Sequence, residues 1–226
     1  MPEHPVLREL MEAILPQRCL ACGRFGAALH ASCAASLPAA EGSRCLRCWA
    51  PDSSELCRRC QAAPPAFEAL RAHFRFEGDA RRAILEAKFR GVTALLDPLA
   101  EAAAGRVQAA WHIDAVVPVP LHPRRERQRG YNQAAPVAKT VARRLGVPYR
   151  PELLRRVRAT PPQASLDKEQ RARNLLGAFE AKGTVSGALL LADDVTTTGA
   201  TFEAAARALR DAGARTVFAL AIARED

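Results

Sequence analysis

Apolar residues along this chain fall into short unbroken runs and longer periodic stretches, and their alternation lays out most of the second half. From Ala188 to Ala192 the chain reads ALLLA directly after Gly187. A run this short, bounded by glycine, predicts a buried strand. Thr201 to Asp211 is a helix-forming stretch with Gly213 as its cap, and Thr216 to Ala223 is apolar again, so the chain ends in a β-α-β unit. Upstream, Ala69 to Phe76 (ALRAHFRF) alternates and predicts a strand. Asp79 caps a helix through Ala80 to about Phe89, ended by Gly91. A second helix is expected from Thr93 to about Val107, with Pro98 interrupting its pattern. Ala115 to Val119 predicts a strand, and Asn132 to about Leu145 a helix closed by Gly146. Gln61 to Pro65 (QAAPP) reads as a linker that divides residues 1–65 from residues 66–226.

At 226 residues the chain holds one domain of ordinary size and a small one. The opening MPEHPVLRELMEAILP carries acidic residues and only short apolar runs, unlike a signal peptide. No run reaches the ~18 apolar residues of a membrane span. A soluble, cytoplasmic protein without membrane insertion is the expectation. The net charge of +9 is uneven: residues 1–65 carry seven basic and six acidic residues, and residues 66–226 carry 26 and 18. The basic surplus of the larger part suits a polyanionic ligand, a nucleic acid, or both. Arg outnumbers Lys 29 to 4 in an Ala-rich chain, a pattern coding bias also produces, so Arg alone argues little.

All seven cysteines lie between Cys19 and Cys60. Six form C-x-x-C pairs: Cys19 with Cys22, Cys45 with Cys48, and Cys57 with Cys60. The seventh, Cys33, has His30 three residues before it. Counting His30 gives eight ligands, enough for two tetrahedral zinc sites, since zinc accepts Cys₃His as well as Cys₄. The sequential grouping is Cys19, Cys22, His30 and Cys33, then Cys45, Cys48, Cys57 and Cys60; an interleaved grouping stays open. Disulfides suit secreted chains, and a redox C-x-x-C needs only one pair. A head this small needs metal binding to supply folding energy. Four protein ligands leave no open position for catalysis, so its job is structural or recognition.

The segment Leu189 to Thr201, LLLADDVTTTGAT, carries the chemistry. Asp193 and Asp194 follow the apolar run, where open α/β sheets bind ligands. Ionised carboxylates only accept hydrogen bonds, which suits vicinal ribose hydroxyls. Thr196, Thr197, Thr198 and Thr201 offer hydroxyls, Gly199 allows a tight turn, and loop N–H groups with a helix N-terminus seat a phosphate. A plain helix cap needs one such residue rather than two carboxylates and three threonines. No P-loop or G-x-G-x-x-G run occurs. The segment resembles the PRPP-binding signature of type I phosphoribosyltransferases. That resemblance implies their fold, a parallel sheet flanked by helices, with the 5-phosphate on Val195, Thr196, Thr197, Thr198, Gly199 and Thr201. It also implies a pyrophosphate role for the backbone near Pro118, Val119 and Pro120. Arg124, Arg125, Arg127 and Arg129 follow in an expected loop, and guanidinium forks on Arg124, Arg125 or Arg129 suit the leaving group. The long polar stretch Thr160 to Phe179 is expected to be a catalytic lid.

Taken together, the cysteine-rich head, KFRG at Lys88 to Gly91, RGYNQA at Arg129 to Ala134, PPQASL at Pro161 to Leu166, RARNLLGAF at Arg171 to Phe179 and DDVTTTGAT resemble the ComF family over nearly the whole chain. Its members are phosphoribosyltransferase-like proteins associated with DNA uptake in competent bacteria. The chief departure is His30, where many relatives have Cys. The resemblance implies a Mg²⁺-assisted transferase that releases pyrophosphate from PRPP, with Asp193 and Asp194 catalytic and the acceptor unnamed. Two other readings stay open: a non-catalytic protein binding PRPP or single-stranded DNA, and an adaptor whose head docks a translocation helicase. Aromatic residues, at 5%, are few for a strand-stacking module.

Overall fold

The computed structural model describes residues 17–51, 55–159, 175 and 177–226. Two short helices belong to the head, α1 (Ala31–Ala35) and α2 (Arg58–Ala62). The larger part runs β1 (Leu70–Arg75), α3 (Gly78–Arg90), α4 (Leu96–Ala104), β2 (Ala115–Pro118), α5 (Pro123–Arg129) and α6 (Ala134–Leu145). It continues with β3 (Leu154–Arg156), β4 (Phe179–Ala181), β5 (Ala188–Thr196), α7 (Ala200–Asp211) and β6 (Thr216–Arg224).

Four strands form one parallel sheet in the order β1-β6-β5-β2. The period of two sorts its side chains cleanly. Leu190, Ala192, Leu220 and Ile222 join Ile84, Leu99 and Val141 of α3, α4 and α6 on one face. Leu189, Leu191, Ala219 and Ala221 join Phe202, Ala205 and Leu209 of α7 on the other. Strands buried on both faces are why the sequence reads as unbroken apolar runs. The expected fold class, a parallel α/β sheet flanked by helices with a cysteine-rich head, is what the chain adopts.

Asp79, expected to cap α3, lies inside its first turn, and Glu77 holds the cap position without a side-chain hydrogen bond. Three further elements differ from the sequence reading. The helix expected from Thr93 begins as a single 3₁₀ turn, Thr93–Leu95, and becomes α4 only at Leu96. Pro98 sits in the first turn of α4, where backbone N–H groups have no helical partner to lose, so it starts the helix rather than interrupting it. The loop expected to carry the four arginines is a helix, α5, with Pro123 at its first position and His122 Nδ1 accepting the Arg124 N–H at 3.2 Å. The strand expected to stop at Ala192 continues to Thr196, paired with β6 as far as Thr196 opposite Arg224. The lid expected over Thr160 to Phe179 lies, up to residue 174 and at 176, outside the described residues; Phe179 opens β4, which pairs antiparallel with β3.

The head clasps the edge strand β1. Ala40 donates its N–H to the His73 carbonyl at 2.7 Å, and Arg75 donates to the Pro38 carbonyl at 3.0 Å. Exposed strand edges invite foreign pairing, and this one is covered by the chain itself. The cysteines then divide across the sheet: Cys19 packs with the α3/α4/α6 face, and Cys45, Cys48 and Cys60 with the α7 face. Buried Arg71 of β1 fastens the join, donating to the Leu46 and Leu70 carbonyls at 2.7 and 2.8 Å beneath the Trp49 ring. Arg224, at the end of β6, donates to the Cys48 carbonyl at 3.0 Å.

Candidate functional site

The C-terminal ends of β5 and β2 lie side by side, with Pro118 opposite Ala192. The acidic pair and the Pro118–Val119 turn therefore share one edge of the sheet, and the Val119 N–H donates to the Ala192 carbonyl at 2.9 Å. Asn132 donates its side-chain amide to the Val119 carbonyl at 3.1 Å and accepts the Ala134 N–H at 3.2 Å, tying the start of α6 to this turn.

Because β5 extends past the pair, Asp193 and Asp194 project to opposite faces of the sheet. Their surroundings differ, although the Lys88 charge acts on both. Asp194 is buried, 3% exposed, and its Oδ2 lies 3.1 Å from Lys88 Nζ at the C-terminal end of α3. Its Oδ1 accepts the Val195 N–H at 2.9 Å. Asp193 is half-buried and accepts the Asp194 N–H at 2.9 Å. Loss of water around it, then the neighbouring charge of Asp194, hold its carboxyl well above the usual carboxylate range. On its side stands Arg156 of β3, a buried guanidinium over the Phe179 ring. Burial lowers the Arg156 pKa, the Arg125 charge presses the same way, and the Asp193 charge opposes both. Arg156 therefore feels both Arg125 and Asp193 at the mouth of the sheet.

The threonines separate by role. Thr196 belongs to β5 and is 5% exposed, so its hydroxyl is not on an open loop. Thr197 and Thr198 are half-buried in the turn that follows. The Thr198 hydroxyl accepts the Ala200 N–H at 3.3 Å, and Gly199 turns the chain at φ 78°, a conformation costly to any residue with a Cβ. Thr201 stands in the first turn of α7. On α5, Arg125 and Arg129 are half-buried, whereas Arg124 and Arg127 are exposed. Arg129 donates to Gln133 Oε1 at 2.5 Å and lies 5.7 Å from the centre of the exposed Phe89 ring.

Three residues at this edge were assigned no role from the sequence. Lys88 stands in the KFRG motif, which marks the family without giving the lysine a partner. Arg156 sits on a three-residue strand beside three other arginines, with no spacing to single it out. Arg59 reaches the loop from a distant part of the chain, as described below.

Both metal groupings assemble in the sequential arrangement. Cys19, Cys22, His30 and Cys33 bring their ligand atoms within 4.8 Å of one another, and Cys45, Cys48, Cys57 and Cys60 do the same. A tetrahedral zinc with Zn–S near 2.3 Å needs ligand atoms about 3.8 Å apart. Cys48 and Cys57 sulfurs are 3.6 Å apart, and His30 Nδ1 is 3.4 Å from Cys22 Sγ. His30 Nε2 faces the Phe25 carbonyl at 3.2 Å, the outer hydrogen bond a metal-bound imidazole uses to fix its tautomer. In each group burial raises the first cysteine's pKa, but backbone N–H donors from neighbouring residues outweigh it and bring Cys19 and Cys45 down to about 6. The donor sets suit zinc, held by thiolates and one imidazole in the first group and by thiolates alone in the second.

A parallel sheet with an acidic pair and threonine turn at its mouth, joined to a cysteine-rich head, defines the class: a parallel α/β protein with two candidate metal groupings. The particular family follows from its relatives. DNA utilization protein YhgH of Salmonella typhimurium is 32% identical over 184 residues, covering 77% of this chain and 81% of its own length. YhgH of Escherichia coli O157:H7 is 31% identical over 207 residues, covering 88% and 90%. Competence protein F of Haemophilus influenzae is 33% identical over 115 residues, 49% of this chain and 50% of its own. The chain belongs to the ComF family of these proteins. No protein-family model matches it. Among solved structures, glutamine PRPP amidotransferase from B. subtilis overlaps 55% of this chain and 25% of its own, with a TM-score of 0.38 and 21% identity. No helix among the described residues is long and apolar enough to cross a membrane.

Proposed function

We propose that this chain binds PRPP at the C-terminal edge of its sheet and transfers the phosphoribosyl group to a nucleophilic acceptor with release of pyrophosphate. The observation that carries the reading is the placement of Asp193 and Asp194 beside the Pro118–Val119 turn, with Thr197, Thr198 and Gly199 leading into α7. The 5-phosphate sits on the turn from Val195 to Thr201. The ribose hydroxyls donate to Asp193, with buried Asp194 held behind it by Lys88, and the pyrophosphate lies against Pro118, Val119 and the guanidinium of Arg125. Mg²⁺, when bound with PRPP, supplies charge neutralisation through the ligand's own oxygens and water. Loss of pyrophosphate leaves positive charge on the ribose, which Asp193 stabilises. No general base is assigned, and an acceptor with a free lone pair needs none. The zinc-bearing head is the structural unit that closes the β1 edge. Pyrophosphate release from PRPP, measured with and without amine and nucleobase acceptors, tests the reading; no PRPP binding by calorimetry defeats it.

The names of the relatives, DNA utilization protein and Competence protein F, and the basic surplus of residues 66–226 support a second reading in DNA handling, through single-stranded DNA or a helicase partner. The α5 helix separates the two. The Arg125 charge acts on buried Arg156, whereas Arg124 and Arg127 face solvent. Arg125→Ala is expected to weaken PRPP binding about tenfold, the scale of one charge-assisted hydrogen bond. Arg124→Ala with Arg127→Ala is expected to leave PRPP affinity alone and flatten the salt dependence of any DNA binding, since each lost phosphate contact lowers counterion release. Competition titrations of DNA against PRPP at several salt concentrations read both. Loss of DNA binding in Arg125→Ala with PRPP affinity untouched moves α5 to the second reading.

A further inference from the structure

We propose that the second cysteine cluster is part of the anion site and acts through Arg59, a positioning residue for the phosphate turn; this rests on the assignment of that turn to the 5-phosphate. Arg59 lies between Cys57 and Cys60 on α2, a helix of five residues. Its Nη1 donates to the Thr198 carbonyl at 2.8 Å across 139 residues of sequence. A second contact from the same side reaches the first turn of α7: the Ala66 N–H donates to Glu203 Oε2 at 2.6 Å. The turn is therefore held by the head at its carbonyl side, and by the first residue after the linker at its helix start.

The direction of the Arg59 contact matters. In a trans peptide the carbonyl and the following N–H point opposite ways. Pinning the Thr198 carbonyl toward Arg59 turns the Gly199 N–H away from the head, onto the far side of the turn. That is the orientation a phosphate oxygen needs from a backbone donor. Gly199 is set in this turn by its left-handed backbone, φ 78°, packed over Leu70 and Phe67 of the core.

A five-residue helix has no stability of its own. The course of α2, and with it the Arg59 side chain, is fixed by Cys57 and Cys60 reaching into the cluster. Metal in that cluster and anion on the turn then favour the same backbone arrangement, and such coupling is reciprocal. Ligand binding to the body is in this way tied to the metallation of the head, through one guanidinium on an exposed position that tolerates substitution.

The test uses the zinc-loaded full chain, with Arg59→Ala and Arg59→Lys beside the wild type, zinc content being expected to stay unchanged in both. Amide hydrogen exchange over residues 196–201 is the first readout. Arg59→Ala is expected to speed it about tenfold, and Arg59→Lys to return it toward wild type. PRPP affinity by calorimetry is the second, expected to fall ~5-fold in Arg59→Ala. Chelation of the wild type is expected to speed exchange in the same turn and to do so more slowly with PRPP bound. Wild-type exchange in Arg59→Ala overturns the proposal, as does faster exchange with PRPP affinity unchanged. If the wild type itself binds no PRPP, the phosphoribosyl reading has failed separately, and the exchange data alone decide whether Arg59 sets the turn.

Discussion

Asp194→Asn and Asp193→Asn are expected to move stability in opposite directions while both impair PRPP binding. Asp194 is buried and paired with Lys88 at 3.1 Å. Removing its charge takes from the ammonium its 3.1 Å partner in a crowded place. Breaking a buried pair costs about 3–5 kcal/mol. Lys88 keeps some access to solvent, so a loss of roughly 1–3 kcal/mol is expected at neutral pH, or several degrees in Tm. Asp193 is the reverse case. Burial and the Asp194 charge raise its pKa in the folded chain, so its ionised form opposes folding. Below the ordinary carboxylate value, near 3.9, neither state is charged and the cost vanishes. As pH rises from there through the raised folded value, the unfolded chain sheds its proton first and stability falls. Asp193→Asn removes that fall. Its gain over wild type is absent in acid, grows across this window and stays constant above it. Thermal unfolding of both variants from pH 4 to 8 reads the two signs. Equal destabilisation by both substitutions would refute the two-sided arrangement of the pair. Unchanged PRPP affinity and turnover in the doubly substituted chain would remove the acidic pair from the site altogether.

This opposition was invisible in the sequence, where Asp193 and Asp194 read as one feature. The reason is the end of β5. The apolar run stops at Ala192, and a strand whose last residues are Asp, Asp and Val carries no hydrophobic signal beyond that point. Backbone pairing with β6 nevertheless continues to Thr196. Alternation along those extra residues sends the two carboxylates to different faces. The central apolar strands, the glycine-capped helices and the cysteine spacing were legible because each rests on local chemistry: burial on two faces, a left-handed cap, a metal's ligand count. The α5 helix looks like a loop in the sequence because all seven of its residues are polar or proline, and none is buried. Lys88, Arg156 and Arg59 owe their places to tertiary contacts spanning distant parts of the chain, which one sequence does not encode as spacing. The wrapping of the head around β1 belongs to the same class. QAAPP looks like a boundary, yet residues from both sides of it share the same two hydrophobic clusters.

The head is where metal removal should have its largest effect. Two zincs per chain are expected by elemental analysis, one in each grouping. His30→Ala should lose the first and spare the second, because no other described His, Cys, Asp or Glu joins Cys19, Cys22 and Cys33 in a metal-binding group. His30→Cys should retain both, since zinc accepts either donor in the fourth position. The structural consequence follows from where the first group sits. Buried Cys19 packs in one cluster with Leu29, Ala34 and residues of α3 and α4, so an unligated Cys19–Cys33 segment leaves that face of the sheet with too little core to hold itself. Structural zinc contributes its binding free energy directly to folding. The loss of stability in His30→Ala should therefore exceed the ~1 kcal/mol typical of a single substitution. Cys22, already exposed, should become reactive toward thiol reagents in that variant, together with half-buried Cys33, while the second group stays protected. Two zincs in His30→Ala would exclude His30 as a ligand. Intramolecular disulfides in protein isolated without oxidation would overturn the zinc assignment for the whole head, and with it the account of how the β1 edge is closed.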